Sequence, residues 1–248
     1  MTRPLAVVLT APGTNRDAEA VDALDRAGAE PMVVPVTQLR ERPSLLTSSQ
    51  LLMLAGGFSY GDALGAGRLL ALDLTVHLAD ELAAFITAGK PVLGVCNGFQ
   101  ALVRAGVLPG GELRAALGPN EQGRFECRWV TLVPGSQRCI WTSGLDEPIF
   151  CPVAHGEGRF VADDDTLHVL RTGDRVALTY EHDTYPANPN GSLAAIAGVC
   201  DAGGTVLGLM PHPEDHVTAR QHPRRSRGER GRSGLALFEN GVRHAKHL

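Results

Sequence analysis

The chain has 248 residues, of which 44% are hydrophobic and 20% are charged. That length suits one globular domain, or a domain with insertions. The formal net charge of -4 gives no reason to expect a nucleic acid or an anionic membrane as partner. No apolar run approaches the roughly 18–20 residues that span a bilayer, and the first residues show no signal-peptide pattern. We therefore expect a cytoplasmic protein.

Cysteine usage supports the same compartment. The five cysteines are an odd number, and no two of them form a close Cys-x-x-Cys pair. This pattern argues against a disulfide framework and against a zinc site, and it favours a reducing cytoplasm. The sequence predicts no metal ligands and no cofactor in this chain.

Apolar runs alternate with helical spacing through the first hundred residues. Four apolar runs predict buried strands, at residues 5–9, 32–36, 51–55 and 91–95. Between them, residues 20–27 and 78–88 have helical spacing, with Asn15 as a candidate N-cap and with Gly28 and Gly89 at the two helix ends. This alternation predicts an α/β fold, a doubly wound and mostly parallel sheet.

A glycine pair follows the third predicted strand. Residues 56–62 read Gly-Gly-Phe-Ser-Tyr-Gly-Asp. A loop that opens on two glycines can bring bare backbone N–H groups close to a reacting carbonyl, and the N–H of Gly57 is then a candidate oxyanion donor. An ordinary strand-to-loop turn explains the pair equally well.

The fourth predicted strand ends on a candidate nucleophile. Residues 94–98 read Gly-Val-Cys-Asn-Gly, the cysteine form of the nucleophile elbow. At such an elbow a strand turns sharply into a helix, and flanking glycines avoid clashes with the strained turn. The helix N-terminus favours thiolate over thiol. The sequence therefore predicts an activated Cys96, with the N–H of Asn97 as a second oxyanion donor.

The pattern of predicted elements changes after about residue 125. Five strand candidates follow with few helical patterns between them, at residues 129–133, 149–154, 176–180, 193–199 and 206–210. Turns rich in Gly, Pro, Asn and Asp separate them, so we predict an antiparallel annex on the sheet. In this region His155 fits a backbone turn at least as well as a binding role.

The last of these strands leads into a candidate base. Residues 211–214 read Pro-His-Pro-Glu, and the carboxyl edge of an open α/β sheet carries the site. In an extended segment His212 and Glu214 point to the same side, so the carboxylate can orient the imidazole. A proline-rich surface turn is the alternative interpretation. The elbow cysteine upstream favours the catalytic interpretation, because a cysteine nucleophile needs a base.

An arginine-rich segment separates this motif from a predicted last helix at residues 234–245. Residues 220–232 contain six arginines and one glutamate. A solvated loop explains this composition, and a basic contact patch is the alternative. We find no Gly-rich phosphate-binding loop of a nucleotide site in the chain.

Taken together, these motifs resemble class I glutamine amidotransferases. Four further stretches, at residues 12–15, 154–158, 188–192 and 208–210, are similar to the glutaminase subunits of phosphoribosylformylglycinamidine synthases. The resemblance implies a single amidotransferase domain of flavodoxin-like architecture over residues 1–248, with an insertion at about 217–232. Arg16 and Asp215 depart from the family pattern, which often has cysteine and arginine at these positions.

The resemblance also implies a reaction. Cys96 attacks the carboxamide of L-glutamine, His212 transfers the proton, Glu214 orients His212, and Gln100 lies near the bound glutamine, although a role in capping the elbow helix is as plausible for Gln100. The ammonia then passes to a separate large synthase subunit that binds ATP, magnesium and formylglycinamide ribonucleotide, with a small third subunit completing the complex.

Three alternatives fit part of the pattern. The chain can serve anthranilate, GMP or CTP synthesis, which the co-purifying synthase distinguishes. It can be a stand-alone cysteine hydrolase, which shows no preference for glutamine. It can also be a binding protein that kept the scaffold, but the presence of Cys96, His212 and Glu214 argues against that.

Overall fold

The computed structural model, which describes residues 2–248, contains one nine-stranded sheet with strand order β2-β1-β3-β4-β11-β10-β9-β6-β7 and a separate pair, β5-β8. The strands are β1 (Leu5–Thr10), β2 (Glu30–Pro35), β3 (Leu51–Leu54), β4 (Val92–Val95), β5 (Ala115–Pro119), β6 (Glu126–Pro134), β7 (Ile149–His155), β8 (Glu157–Ala162), β9 (Val176–Tyr180), β10 (Ile196–Cys200) and β11 (Val206–Leu209).

Eight α-helices connect and cover these strands within the described residues. They are α1 (Asp17–Arg26), α2 (Val36–Glu41), α3 (Ser44–Thr47), α4 (Arg68–Leu72), α5 (Ala79–Thr87), α6 (Asn97–Arg104), α7 (Asp164–Thr172) and α8 (Leu235–Ala245). A π-helical turn, Asp73–His77, joins α4 to α5. Among residues 2–248, none of the helices combines the length and the apolarity needed to cross a bilayer.

The first half of the sheet is parallel. Strands β2, β1, β3, β4 and β11 pair in parallel, and β3, β4 and β11 are buried along their whole length. The chain moves from β1 outward to β2 and then back across β1 to β3 and β4. Because such crossovers are right-handed, α1 and α5 lie on opposite faces of the sheet. The predicted doubly wound architecture is confirmed.

The second half of the sheet is antiparallel and continues directly from β11. Strands β10, β9, β6 and β7 each pair in antiparallel fashion with the preceding strand in this order. The predicted annex is therefore part of the main sheet. The pair of β5 with β8 is also antiparallel and lies outside that sheet.

Several local predictions were wrong. Asn15 does not cap α1: Arg16 occupies the N-cap position, without a side-chain cap hydrogen bond. A β-bridge between Thr14 and Gly57 holds this loop, and the helix begins at Asp17, one residue later than a cap at Asn15 would place it. Residues 193–195 form a 3-10 turn and not a strand start, because Ala194 and Ala195 have positive φ angles, which a strand does not allow.

The patterns also missed some elements. Helix α7 interrupts the region expected to be almost free of helices, and the carboxylate of Asp163 caps it by accepting a hydrogen bond from Thr166 N at 2.7 Å. Strands β5 and β8 were not predicted either, and neither were the short helices α2, α3 and α4. All of these are short or half exposed, so their apolar periodicity is weak.

The arginine-rich segment lies along the outer strand β7. Within residues 217–232 the only regular element is a 3-10 turn, Arg225–Arg227. Phe150 N donates a hydrogen bond to Arg232 O at 2.7 Å, which ties the end of the segment to β7. His222, within the segment, is buried, and its ring packs against Trp129 and Phe150. The exposed arginines project from this anchored loop.

Candidate active site

Three neighbouring parallel strands end at one edge of the sheet. The glycine loop at residues 56–62 follows β3, Cys96 follows β4, and His212 follows β11. Because β3, β4 and β11 are adjacent and parallel, their carboxyl ends meet, as the general rule for ligand sites in open α/β sheets requires. The three sequence motifs are thus assembled by sheet topology.

Cys96 lies in a strained elbow between β4 and α6. Its backbone has φ 50° and ψ -105°, a conformation that L-residues rarely adopt. A Cβ on Gly94 would lie 2.9 Å from the carbonyl oxygen of Gly98, and a Cβ on Gly98 would collide with the backbone of Leu54. Glycine at both positions lets the elbow close. The thiol is almost fully buried, at 4% exposure.

His212 and Glu214 form a direct pair beside this thiol. His212 Nδ1 lies 2.7 Å from Glu214 Oε1, and both side chains are buried. Because an ionised carboxylate only accepts, Nδ1 carries the proton and Nε2 is left for the thiol. The predicted contact is present, but its stated reason was wrong: Pro213–Asp215 forms a 3-10 turn and not an extended segment.

The electrostatics of the pair favour a charged imidazole. Burial alone lowers the pKa of His212, but the Glu214 carboxylate and the Cys96 sulfur outweigh burial and raise that pKa well above its usual value. A buried imidazolium between an oxygen anion and a sulfur is therefore stabilised. This arrangement holds a proton on His212 when the thiol has lost it.

A cavity of about 160 Å³ opens in front of Cys96. That is well below the roughly 300–1,000 Å³ of pockets for drug-sized ligands, so it fits a small metabolite. The cavity walls come from the glycine loop, the elbow and the connection between β7 and β8, and they include Gly57, Asp62, Cys96, Gln100, His155 and Glu157.

The glycine loop lies close to both His212 and Cys96. A Cβ on Gly56 would lie 2.7 Å from His212 Cε1 and 3.5 Å from Cys96 Cβ. Gly57 lines the cavity and has φ 136°, a conformation that glycine tolerates best. Asn97 is the first residue of α6, and the first N–H groups of a helix have no partner within it. Gly57 thus lines the same cavity as Cys96, and Asn97 follows Cys96 directly.

A chain of side-chain amides forms one wall of the cavity. Asn97 Nδ2 donates to Asp62 Oδ1 at 3.0 Å and to Gln100 Oε1 at 3.1 Å. Gln100 Nε2 in turn donates to Glu157 O at 2.8 Å. Gln100 is therefore next to Cys96, as expected, but both ends of its amide are held by the protein. These hydrogen bonds fix the orientation of both side-chain amides.

His155 belongs to the same wall. Asn120 Nδ2 donates to the carbonyl oxygens of His155 and Arg124, so Asn120 Oδ1 is the atom that accepts from His155 Nδ1 at 3.0 Å. Nε2 of His155 is then unprotonated, buried and without a partner. Burial and the neighbouring His212 lower the pKa of His155 to about 4. The ring is neutral at pH 7.

The two departures from the family pattern meet at the rim of the site. Arg16 Nε lies 3.8 Å from Asp215 Oδ2, and Arg16 Nη1 lies 3.3 Å from Glu19 Oε1. Burial, and after it the Glu214 carboxylate, raise the pKa of Asp215 to about 6. The carboxyl group of Asp215, next to Glu214, thus lies near the guanidinium of Arg16. Arg16 stands where the family often has cysteine.

Sequence reasoning did not assign Asp62 and Glu157 to the cavity, and it missed Asn120, which holds the ring of His155. Asp62 and Glu157 stand inside the motifs at residues 56–62 and 154–158, but nothing in their spacing shows that two distant loops face each other. His155 was weighed and left open. Within residues 2–248, no cluster of His, Cys, Asp and Glu side chains has the arrangement of a metal site, and none of the five cysteines forms a disulfide.

Comparisons with known proteins agree with this site. The family model for the CobB/CobQ-like glutamine amidotransferase domain matches residues 3–245. The chain is 46% identical to the phosphoribosylformylglycinamidine synthase subunit PurQ of Treponema denticola, covering 98% of this chain and 99% of that protein. It is 40% identical to the same subunit of Dehalococcoides mccartyi, with both chains fully covered.

Solved structures give the same result. A chain in the structure of PurLQS from Thermotoga maritima superposes with a TM-score of 0.79 and 35% identity, over 98% of this chain and 99% of that chain. A glutamine amidotransferase from the same organism, at 16% identity and a TM-score of 0.60, shares the fold. The matched family, the identity over full length and the superposition agree, and the chain belongs to the PurQ family of class I glutamine amidotransferases.

Proposed function

We propose that the chain is the glutaminase subunit of phosphoribosylformylglycinamidine synthase. It hydrolyses L-glutamine to glutamate at Cys96 and supplies the ammonia to a separate synthase subunit. The observation that supports this chemistry best is the strained elbow at Cys96 next to the His212–Glu214 pair, whose nitrogen and oxygen lie 2.7 Å apart. A nucleophile, a base and a group that orients the base are the parts that acyl transfer requires.

The first step forms a thioester. The Cys96 thiol gives its proton to His212 Nε2, and the sulfur attacks the carboxamide carbon of glutamine. Glu214 accepts the hydrogen bond from Nδ1 and stabilises the imidazolium, as the third member of a triad does. The raised pKa of His212 supports this role, because it reflects stabilisation of the charged ring by the same two groups.

The tetrahedral intermediate carries a negative oxygen. The N–H groups of Gly57 and Asn97 are our proposed donors to it, since both residues border the thiol. Removing one such donor typically costs about 10²–10³ in kcat. When the intermediate collapses, His212 returns its proton to the leaving nitrogen, and ammonia departs.

Water completes the cycle. A water molecule gives a proton to His212 and attacks the thioester carbon, and the sulfur leaves and takes the proton back from His212. The products are glutamate and the free thiol of Cys96. Each atom and each proton is accounted for without a cofactor in this chain.

The ammonia has to reach an acceptor before water protonates it. We propose a large synthase subunit as the partner, with ATP and magnesium bound there and with formylglycinamide ribonucleotide as the acceptor. A small third subunit completes the assembly. The similar proteins are subunits of a synthase, and the similar solved chain belongs to the PurLQS structure, which supports a partner of this kind.

The test is alkylation by diazo-oxo-norleucine, a reactive glutamine analogue, in the presence of the synthase subunit. We expect one adduct, on Cys96, and its loss when L-glutamine is present in excess. The exposed Cys127 is the internal control for unspecific reaction. An adduct on a cysteine other than Cys96, or no adduct even with the partner present, would overturn the proposal.

The partner is tested by stimulation of glutamine hydrolysis. We expect turnover to rise with the phosphoribosylformylglycinamidine synthase subunit and its nucleotide ligands. Anthranilate, GMP or CTP synthases serve as controls, and stimulation by one of them instead would reassign the pathway.

A further inference from the structure

Another cavity lies between the arginine-rich segment and strands β6 and β7. Its volume is about 470 Å³, within the roughly 300–1,000 Å³ of pockets that hold small ligands. One wall comes from Thr131 and Phe150, which pair across the two strands, and the other walls come from residues 222–232. The residues that line it and those that line the cavity at Cys96 do not overlap. The two cavities are therefore separate.

The lining of this cavity is basic, although the chain as a whole is acidic. It contains three arginines and one glutamate, an excess of two positive charges, whereas the formal net charge of the chain is -4. Glu229 Oε1 lies 3.3 Å from Arg224 Nη1, so these two side chains are paired. Arg230 and Arg232 have no ion-pair partner within residues 2–248. Their guanidinium groups are available to an anionic ligand.

A buried histidine adds a hydrogen-bond donor to the same lining. His222 is 7% exposed, and its Nδ1 accepts a hydrogen bond from Arg224 N at 3.1 Å. Because a backbone N–H only donates, the proton of the neutral ring lies on Nε2. Nε2 has no hydrogen-bond partner within the described part of the chain, and the fully buried polar atoms without a partner are others. The cavity that His222 lines is where this N–H can meet a ligand.

Aromatic contacts hold the histidine ring in place. The ring centroid of His222 lies 5.3 Å from that of Phe150 and 6.3 Å from that of Trp129. The ring of His216 lies on another side, with its centroid also 5.3 Å away. A ring packed against three others keeps its orientation, so the donor does not have to be ordered when a ligand binds.

The backbone of Arg232 is unusual. Its φ angle is 53°, in the left-handed region that glycine adopts at the lowest cost. Its carbonyl oxygen accepts the hydrogen bond from Phe150 N, and this bond does not depend on the side chain. A guanidinium at a strained backbone position favours a functional role for that side chain.

We propose that this cavity binds the phosphate group of a small metabolite. Ionised phosphate oxygens accept hydrogen bonds, and their geometry matches the paired N–H groups of a guanidinium. Nε2 of His222 supplies a fixed donor, and Arg230 and Arg232 supply the charge. The volume of the cavity favours a small ligand over the surface of a protein. Binding at this site requires neither glutamine nor the synthase subunit.

Isothermal titration calorimetry of the full chain with pyrophosphate, ADP and adenosine tests the proposal, at low ionic strength and without magnesium. We expect pyrophosphate and ADP to bind and adenosine, which has no phosphate, not to bind. Tighter binding of ADP assigns the site to a nucleotide, and tighter binding of pyrophosphate assigns it to an inorganic phosphate. Adenosine binding as tightly as ADP, or no binding of either phosphate compound at millimolar concentration, would overturn the proposal.

Two variants remove the unpaired charges of the cavity. Arg232→Gly removes a guanidinium and relieves the backbone at φ 53°, while the carbonyl oxygen that accepts from Phe150 N stays. Arg230→Gln removes the other charge. We expect each variant to weaken pyrophosphate binding about 10-fold, the lower end for a lost charge-assisted hydrogen bond, because both residues are exposed.

Arg220→Gln is the matched control, because Arg220 is exposed in the same segment but does not line the cavity. This variant should bind pyrophosphate like the wild type. An equal loss of affinity in all three variants would indicate a diffuse basic surface and would contradict a built site. If the variants weaken association with the synthase subunit while pyrophosphate does not bind the wild type, the segment is a protein contact and the inference falls.

Proton NMR observes the buried donor directly. On addition of pyrophosphate the Cε1–H signal of His222 should shift, while that of the exposed His247 should stay in place. His222→Phe identifies the signal by its absence, and thermal unfolding of this variant must show a folded protein. A His222 signal that does not move when the protein is saturated with pyrophosphate would show that the phosphate binds elsewhere, and the proposed site would be wrong.

Discussion

The parallel and antiparallel halves of the sheet contribute different things to the site. The parallel half ends in the glycine loop, Cys96 and His212, each directly after a buried strand. The antiparallel half contributes the wall with His155 and Glu157, from the turn between β7 and β8. The parallel half therefore supplies the reacting groups, while the end of β7 and the start of β8 supply part of the cavity wall in front of them.

Removal of the nucleophile is the strongest test of the role assigned to the parallel half. Cys96→Ala should lower glutamine hydrolysis by at least about 10⁴-fold, because Cys96 is the cysteine that lines the cavity and interacts with His212. The measurement is ammonia release with the synthase subunit present. Cys127→Ser, at an exposed position on β6, is the control and should retain full activity. Substantial turnover by Cys96→Ala would show that the reaction does not pass through this elbow.

The second largest effect concerns the group that orients the base. Glu214→Gln should lower kcat by about 10²–10⁴-fold, as loss of the third triad member does elsewhere. The neutral amide no longer stabilises the imidazolium, so the pKa of His212 should fall and the limb of the pH–rate profile that reports it should move to lower pH. Unchanged kinetics with an intact fold would remove Glu214 from the mechanism.

A substitution that acts on the antiparallel half through His155, the last residue of β7, should have a different effect. Asn120→Ala removes the group that holds His155 in one tautomer. We expect KM for glutamine to rise up to about 10-fold with kcat little changed, because uniform binding is lost and the reacting groups are untouched. The check is steady-state kinetics at a temperature where both proteins are folded. A fall in kcat with constant KM would contradict the division between the two halves.

The same division explains what the sequence can predict. Strands β3, β4 and β11 are continuous apolar runs, and a reactive residue directly after such a run is placed by the topology of a parallel sheet. Cys96, His212 and Glu214 were therefore identified from local patterns. Asp62 and Glu157 line the same cavity, and Gln100 Nε2 holds Glu157 O there. This is a contact between segments far apart in the chain, and no local spacing encodes it.

The pair formed by Arg16 and Asp215 tests the stability of the fold and not the reaction. Its expected effect is the smallest of these predictions. The folded-state pKa of Asp215 is about 6, above the usual value of 3.8. The folded protein therefore holds this proton more tightly than the unfolded chain does. The free energy of unfolding falls as the pH rises from about 4 to 6, and the loss is complete above that window.

Asp215→Asn removes the charge that has to be buried beside Glu214. We expect the variant to match the wild type near pH 4 and to be more stable by about 1–2 kcal/mol at pH 8, after allowing for the partial exposure of the group. Urea unfolding at the two pH values measures the difference, with the exposed Asp183→Asn as control. A variant that is less stable than the wild type at pH 8 would mean that the ion pair with Arg16 outweighs burial, and the carboxylate would then hold the rim of the site together.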